Sequence, residues 1–283
     1  MKKGMIFVGL VLVVAVLAVP AGAQDFFTIQ ASQDTTIYDD QPVNGACGAG
    51  GGQLANGSGP NLFAGYLEPF DDTKRALVAF DLSAIPEGAT VVSAMLTLNV
   101  NRTVNAGPFD FSIHRLLSSW GEGPSNATTA GGGGGGGGAG DQAVAPDATW
   151  CERMFGSADW ITPGGDFALP SDTITIDGPE PLGLGPATWG STPEMVADVQ
   201  GWVDDPGSNR GWIVLGTEIL DPGGASPKRF DSREATDPAV RPTLVVGIEP
   251  IPVVAIPTLG QWGLLLMAGL LLGGGLWAVG RMR

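Results

Sequence analysis

The stretch ATVVSAMLTLNVN, residues 89–101, sets the period of the whole chain. Val92, Ala94, Leu96, Leu98 and Val100 take one side of an extended backbone, and Ser93, Thr97, Asn99 and Asn101 take the other. That is the two-residue period of a strand with one buried face. FDFSIHRLL (109–117) repeats it, with Phe109, Phe111 and Ile113 opposed to Asp110, Ser112 and His114. Further strand candidates are RALVAFDL (75–82), DTITID (172–177), GWIVLG (211–216), PKRFDSRE (227–234) and PTLVVGI (242–248), each bounded by the Gly, Pro or Asp of a turn. The pattern predicts an all-β protein, an antiparallel β-sandwich of jelly-roll type.

One segment departs from that period. In STPEMVADVQGWVDDPG (191–207), Met195, Val196, Val199, Trp202 and Val203 share a helical face, Ser191 and Glu194 have capping-box spacing, and Pro206-Gly207 closes the run. A single short amphipathic helix is expected, its apolar stripe turned to the core.

The two ends read differently from the middle. Lys2 and Lys3, an apolar run from Met5 to Val19, Pro20 and then Ala21-Gly22-Ala23 form a signal segment (1–23), with cleavage by signal peptidase expected before Gln24. Near the C-terminus, Leu259 to Gly280 contains no charged residue and is long enough to cross a hydrocarbon core of about 30 Å as a helix. Arg281 and Arg283 follow it and assign that end to the cytoplasmic side, while Trp262 and Trp277 stand near the ends of the run. The expected topology is an exported domain (24–250), a linker (251–255) and a C-terminal transmembrane helix in the inner membrane.

All 29 acidic residues lie between Gln24 and Ala255 with ten of the 14 basic ones, so this region carries a formal charge of −19. A surface of that sign repels phosphate backbones and argues against nucleic acid as a partner. Two cysteines, Cys47 and Cys151, either pair or remain as thiols; a bridge across their 104-residue separation would constrain the unfolded chain by about 4 to 5 kcal/mol in the entropic account. Gly131 to Gly138 are eight consecutive glycines. Residues 131–140 read as a loop insertion within one domain rather than a linker between two, because neither flank offers a full set of strands.

Two resemblances extend this reading. Ile256-Pro257-Thr258-Leu259-Gly260-Gln261-Trp262-Gly263, followed by the apolar run and the terminal arginines, resembles the IPTL-CTERM sorting signals of Gram-negative bacteria. The resemblance implies recognition and cutting by an exosortase-type enzyme, with the mature protein reaching the cell surface or the medium. The segments DTTIYDD (34–40), NGSGPNLFAG (56–65), KRALVAFDLSAIPEGATVVSAMLTL (74–98), SIHRLLSSWGEGPSNA (112–127), DATWCERMF (147–155), WITPGGDF (160–167), MVADVQGWVDDPGSNRGWIVLG (195–216) and KRFDSREATDPAVRPTLVV (228–246) together resemble the DNRLRE-domain proteins. That family is secreted and related to carbohydrate-binding modules, which implies a β-sandwich and a polysaccharide ligand. Cys47 and Cys151 are not part of its pattern.

On the strand KRFDSRE, Lys228, Phe230, Ser232 and Glu234 take one face and Arg229, Asp231 and Arg233 the other. The Arg-Asp-Arg face reads either as a structural cluster that neutralises carboxylates such as Asp81, or as a site for sugar hydroxyls and uronate carboxylates. His114, the single histidine, falls on the polar face and reads as solvated; no G-x-S-x-G elbow, H-E-x-x-H or phosphate loop accompanies it. No catalytic residue is assigned and no cofactor is expected. Calcium has candidate ligands in Asp34, Asp39, Asp40, Asp71, Asp72, Asp204 and Asp205, but no spacing selects among them. Trp120, Trp150, Trp160, Trp189, Trp202 and Trp212 read mainly as core, with stacking on sugar rings as the role of any exposed one. The expected function is a non-catalytic surface or matrix protein that binds polysaccharide; a polysaccharide hydrolase or lyase, and a purely structural matrix protein, are the alternatives.

Overall fold

The computed structural model describes residues 24–250 apart from 40–46, 48–52, 68–71, 104–106, 129–137, 179 and 219–224. The signal segment, nearly all of the glycine run and the sorting tail lie outside the described residues, as do Asp40 and Asp71.

Strands in chain order are β1 (Asp25–Tyr38), β2 (Leu54–Ala55), β3 (Asn61–Leu67), β4 (Asp72–Phe80), β5 (Val91–Thr103), β6 (Phe109–Leu116), β7 (Asp141–Gln142), β8 (Glu152–Met154), β9 (Ala158–Asp159), β10 (Phe167–Ile176), β11 (Gly185–Gly190), β12 (Trp212–Leu215), β13 (Lys228–Asp231) and β14 (Thr243–Ile248). The single α-helix among the described residues, α1 (Pro193–Asp204), lies between β11 and β12.

The strands pair antiparallel in two layers. In the first, β14 lies between β1 and β5, while β5 takes β11 on its other edge and β13 beyond the end of β14. The second runs β10, β6, β12, β4, β1, with the short β2 and β7 beyond. β1 and β3 belong to both. Residues 25–30 of β1 pair with β14 and residues 31–38 with β4, with an irregularity between Ala31 and Gln33. β3 pairs with β13 through Asn61–Ala64 and with β4 through Gly65–Leu67. Gly65 turns that corner at φ +118°, and a Cβ there would stand 2.7 Å from Pro227 Cα, so glycine alone fits.

Side chains from both layers meet in one core. Leu96, Leu98 and Val100 of β5, Leu244 and Val246 of β14 and Trp189 of β11 pack with Val78 and Phe80 of β4, Phe111 and Ile113 of β6, and Trp212 and Val214 of β12. This is the β-sandwich that the alternation predicts. The alternation in β5 holds from Ala94 to Val100 but not at Val92: Val91 is the buried residue, because the register against β14 shifts between Gly247 and Ile248.

Helix α1 buries Met195, Val199, Trp202 and Val203, and the Trp202 and Trp212 rings meet edge-on at 4.5 Å. Its cap differs from the predicted one. Thr192, not Ser191, receives the Met195 N–H on its Oγ1 at 3.1 Å, since Pro193 fixes the first helical position one residue later.

The outer face of the second layer is also apolar. Ile37, Leu77, Leu116 and Ile213 lie there beneath Trp120, Ala148, Trp150 and Trp160, which come from the connections around 117–123 and 143–166. Trp160 Nε1 donates to Thr149 O at 2.9 Å, and the Arg75 guanidinium lies 4.5 Å over the Trp150 ring. Cys47 and Cys151 form a disulfide with Cα atoms 5.7 Å apart, and Cys151 packs on this second core.

Candidate functional site

Three distant segments of the chain converge beside the second core. Asp34 comes from the middle of β1, Glu122 from the connection after β6, and Arg233 and Glu234 from the turn after β13. Gly121 lets the Glu122 segment approach closely: a Cβ at 121 would collide with Pro146 O. The Asp34 N–H donates to Glu122 Oε1 at 2.7 Å, and the Arg233 N–H to Asp34 Oδ2 at 2.8 Å. The Arg233 guanidinium grips Glu122 with both arms, Nε to Oε1 and Nη2 to Oε2, each at 2.7 Å, and its Nε also lies 3.0 Å from Glu234 Oε1. The fully buried Ser232 Oγ receives the Glu234 N–H at 3.1 Å.

The electrostatics follow from burial. Desolvation first, and then the Glu234 charge, push the Asp34 carboxyl well above the usual carboxylate range. Burial likewise raises Glu234. Arg233 is held above its ordinary value, chiefly by its hydrogen bonds to Glu122.

The predicted Arg-Asp-Arg face is divided in two. Arg229 Nε donates to Asn101 Oδ1, and Asp231 accepts from Asn99 and Asn101, all at 2.6 Å, so these two share an amide ladder on β5. The strand ends at Asp231, and Arg233 turns away to Glu122. Asp81 is not a partner of either arginine; it is exposed and accepts from the Ser83 N–H at 2.9 Å. Lys228, on the opposite face, is fully buried and donates to Thr103 Oγ1 and, at 2.8 Å, to Asp177 O. Burial lowers its pKa to about 8.

His114 is buried rather than solvated, because the irregular first residues of β10 fold over it. Its Nδ1 lies 2.9 Å from Ala168 O and must carry the proton, which leaves Nε2 to accept from Ser112 Oγ at 2.9 Å. The Phe167 ring stands edge-on at 5.0 Å, and burial lowers the imidazole pKa. All six tryptophans of the described domain are buried, so none offers a face for sugar stacking. Of the aspartates, Asp205 accepts from the Gly207 N–H, Asp72 pairs with Lys74, and only Asp34 joins other carboxylates in a group able to share an ion among the described residues.

Apart from the cluster, a shallow polar cleft of about 390 Å³ is lined by Leu117, Ser118, Ser119, Arg153, Asp159, Ile161, Asp166 and Arg210. Arg153 Nη1 donates to Ser119 O and Oγ, both at 3.0 Å, and Arg210 Nη1 to Asn209 O at 3.2 Å. Neither guanidinium has a carboxylate within ion-pair distance among the described residues. Asp166 is committed to the Ser118 hydroxyl and the Ile161 and Thr162 N–H groups. Leu117 and Ile161 are 54% and 90% exposed, an apolar margin to a polar floor. Most of its residues come from connections, so no periodic pattern in the sequence marks it.

Residues 254–283 match the family model of the IPTL-CTERM motif. No curated protein matches the chain. A C-terminal sorting signal of this kind implies an exported protein, anchored in a membrane before an exosortase-type enzyme processes it. The motif residues themselves lie outside the described residues; among the described residues no helix is long and apolar enough to cross a membrane.

Proposed function

We propose that the chain is the precursor of a non-catalytic surface protein of the DNRLRE type. In this reading signal peptidase cuts before Gln24, the exosortase-type enzyme cuts within the tail, and the mature single domain binds polysaccharide at the cell surface or in the extracellular matrix. The match of residues 254–283 to the sorting motif carries the export half of the proposal. The cleft supports the binding half: two guanidinium groups without carboxylate partners among the described residues, two serines and a small apolar margin suit the hydroxyls and C–H faces of a sugar chain.

Processing is tested on the tail. Pro257→Ala or Trp262→Ala leaves the apolar run from Leu264 to Gly280 intact, so the precursor should insert but remain full length. Wild-type protein recovered from the surface should lack the C-terminal arginines; finding Arg283 still attached in mature protein sinks this part of the reading. Binding is tested on a glycan array. Wild type should retain a defined set of glycans that the Arg153→Ala, Arg210→Ala double variant loses. A blank array favours a structural matrix protein, and release of reducing ends favours an enzyme.

A further inference from the structure

We propose that a calcium ion binds between Asp34, Glu122 and Glu234, a site separate from the cleft and independent of any glycan. Each residue offers one carboxylate oxygen, and the three oxygens lie within 4.8 Å of one another. Calcium to oxygen bonds of about 2.3–2.6 Å span about 4.6–5.2 Å across one ion, so the three can share an ion without backbone movement.

A second observation points to a missing partner. Asp34 is 1% exposed, and its Oδ1 has no hydrogen-bond partner. A buried carboxylate oxygen left unpaired is costly, and native structures rarely leave one so. Arg233 does not supply the lack. Its guanidinium is spent on Glu122 and Glu234, and it reaches Asp34 only with its backbone N–H, on the other oxygen. Fully ionised, the three carboxylates exceed the one guanidinium by two negative charges, the charge of one divalent cation. Each carboxylate offers about four lone-pair sites, so Glu122 and Glu234 can keep Arg233 and still bind a metal.

The donor set selects the metal. It is all oxygen and anionic; His114 hydrogen-bonds elsewhere and both cysteines are in the disulfide. Hard cations with flexible coordination suit it, and an exported domain meets calcium at concentrations that fill sites of low affinity. The bound ion would join β1, the 117–123 connection and the turn after β13 at one point.

The test uses the full-length protein in detergent, stripped of divalent ions with EDTA and titrated calorimetrically with calcium chloride. One saturable site is expected, with a Kd of about 10⁻⁴ to 10⁻³ M, the range of extracellular calcium modules. Tm should rise with calcium by mass action. Asp34→Asn and Glu234→Gln should each weaken binding at least tenfold. If Asp34→Asn does not fold, terbium emission excited through tryptophan serves instead: it should appear in wild type, be displaced by calcium and be lost in Glu234→Gln. No saturable response to calcium up to about 10 mM overturns the proposal, as does wild-type affinity in Glu234→Gln; equal affinity for magnesium overturns the choice of calcium.

Discussion

The strands β4 and β12 carry apolar side chains on both faces, and the two faces are covered by different means. Inside, Val78, Phe80, Trp212 and Val214 meet the strands of the opposite layer and helix α1. Outside, Leu77 and Ile213 meet connections anchored by Trp120, Trp150 and Trp160. The inner core is held by backbone ladders that run the length of the domain. The outer one is held by side-chain and turn hydrogen bonds, one disulfide and the Asp34, Glu122, Arg233 group. Ladders make a cooperative body, whereas a connection pinned at a few points can open alone. The polar cleft and the carboxylate cluster both draw on these connections.

The largest effect expected from this contrast comes from dividing the chain at the glycine run. β12 pairs with β4 and β6, β14 with β1 and β5, and β13 with β3 and β5, each strand from beyond the run inserted between strands from before it. Residues 24–130 and 141–255 expressed separately should each fail to unfold cooperatively in denaturant. Two cooperative transitions would show two domains.

Point substitutions sharpen the same contrast. Trp212→Ala, in the inner core, should cost about 3–5 kcal/mol of global stability by denaturant titration. Trp160→Ala should leave the exchange of β4, β5 and β14 amides nearly unchanged while accelerating exchange across 143–166. Reducing the Cys47–Cys151 bond should act like Trp160→Ala on exchange and lower global stability by about 2–4 kcal/mol. If Trp160→Ala instead accelerates exchange everywhere, the two cores are one unit.

A smaller effect tests Lys228, a fully buried amine on β13. Burial brings the folded pKa of Lys228 to about 8, below the ordinary value of about 10.4 for the unfolded chain. Between these values the unfolded state binds more protons, so the contribution of Lys228 to stability rises as pH climbs from about 8 to about 10. Wild type should therefore gain on Lys228→Met across that window, and a constant difference would show that the amine titrates normally. The smallest effect belongs to the glycine run. Removing four of Gly131–Gly138, which shortens the 131–140 loop from ten residues to six, should change stability by less than about 0.5 kcal/mol, since closure entropy grows only with the logarithm of loop length.

The inner core was legible in the sequence because one buried face leaves a period. Ala94 to Val100 alternate as they do in the structure, and the apolar stripe of α1 needed only its cap moved by one residue. The outer core was not, although RALVAFDL and GWIVLG held a clue: apolar residues in succession mean a strand buried on both faces. His114 reads as solvated in the sequence because nothing local shows that the start of β10, Phe167 and Ala168, covers its face. The carboxylate group draws on positions 34, 122 and 233–234, and no local pattern relates residues so far apart.

The first strand and the last are neighbours, with Asp25 opposite Ile248 in register. In connectivity the domain is nearly a closed ring, opened at a single seam between β1 and β14. Both ends of the domain leave from that seam, so a load applied at the C-terminal end bears at once on the rungs that join Ile248 to β1 and to β5. It would part β14 from its two neighbours rung by rung, like a zipper, before reaching the tryptophan-filled interior.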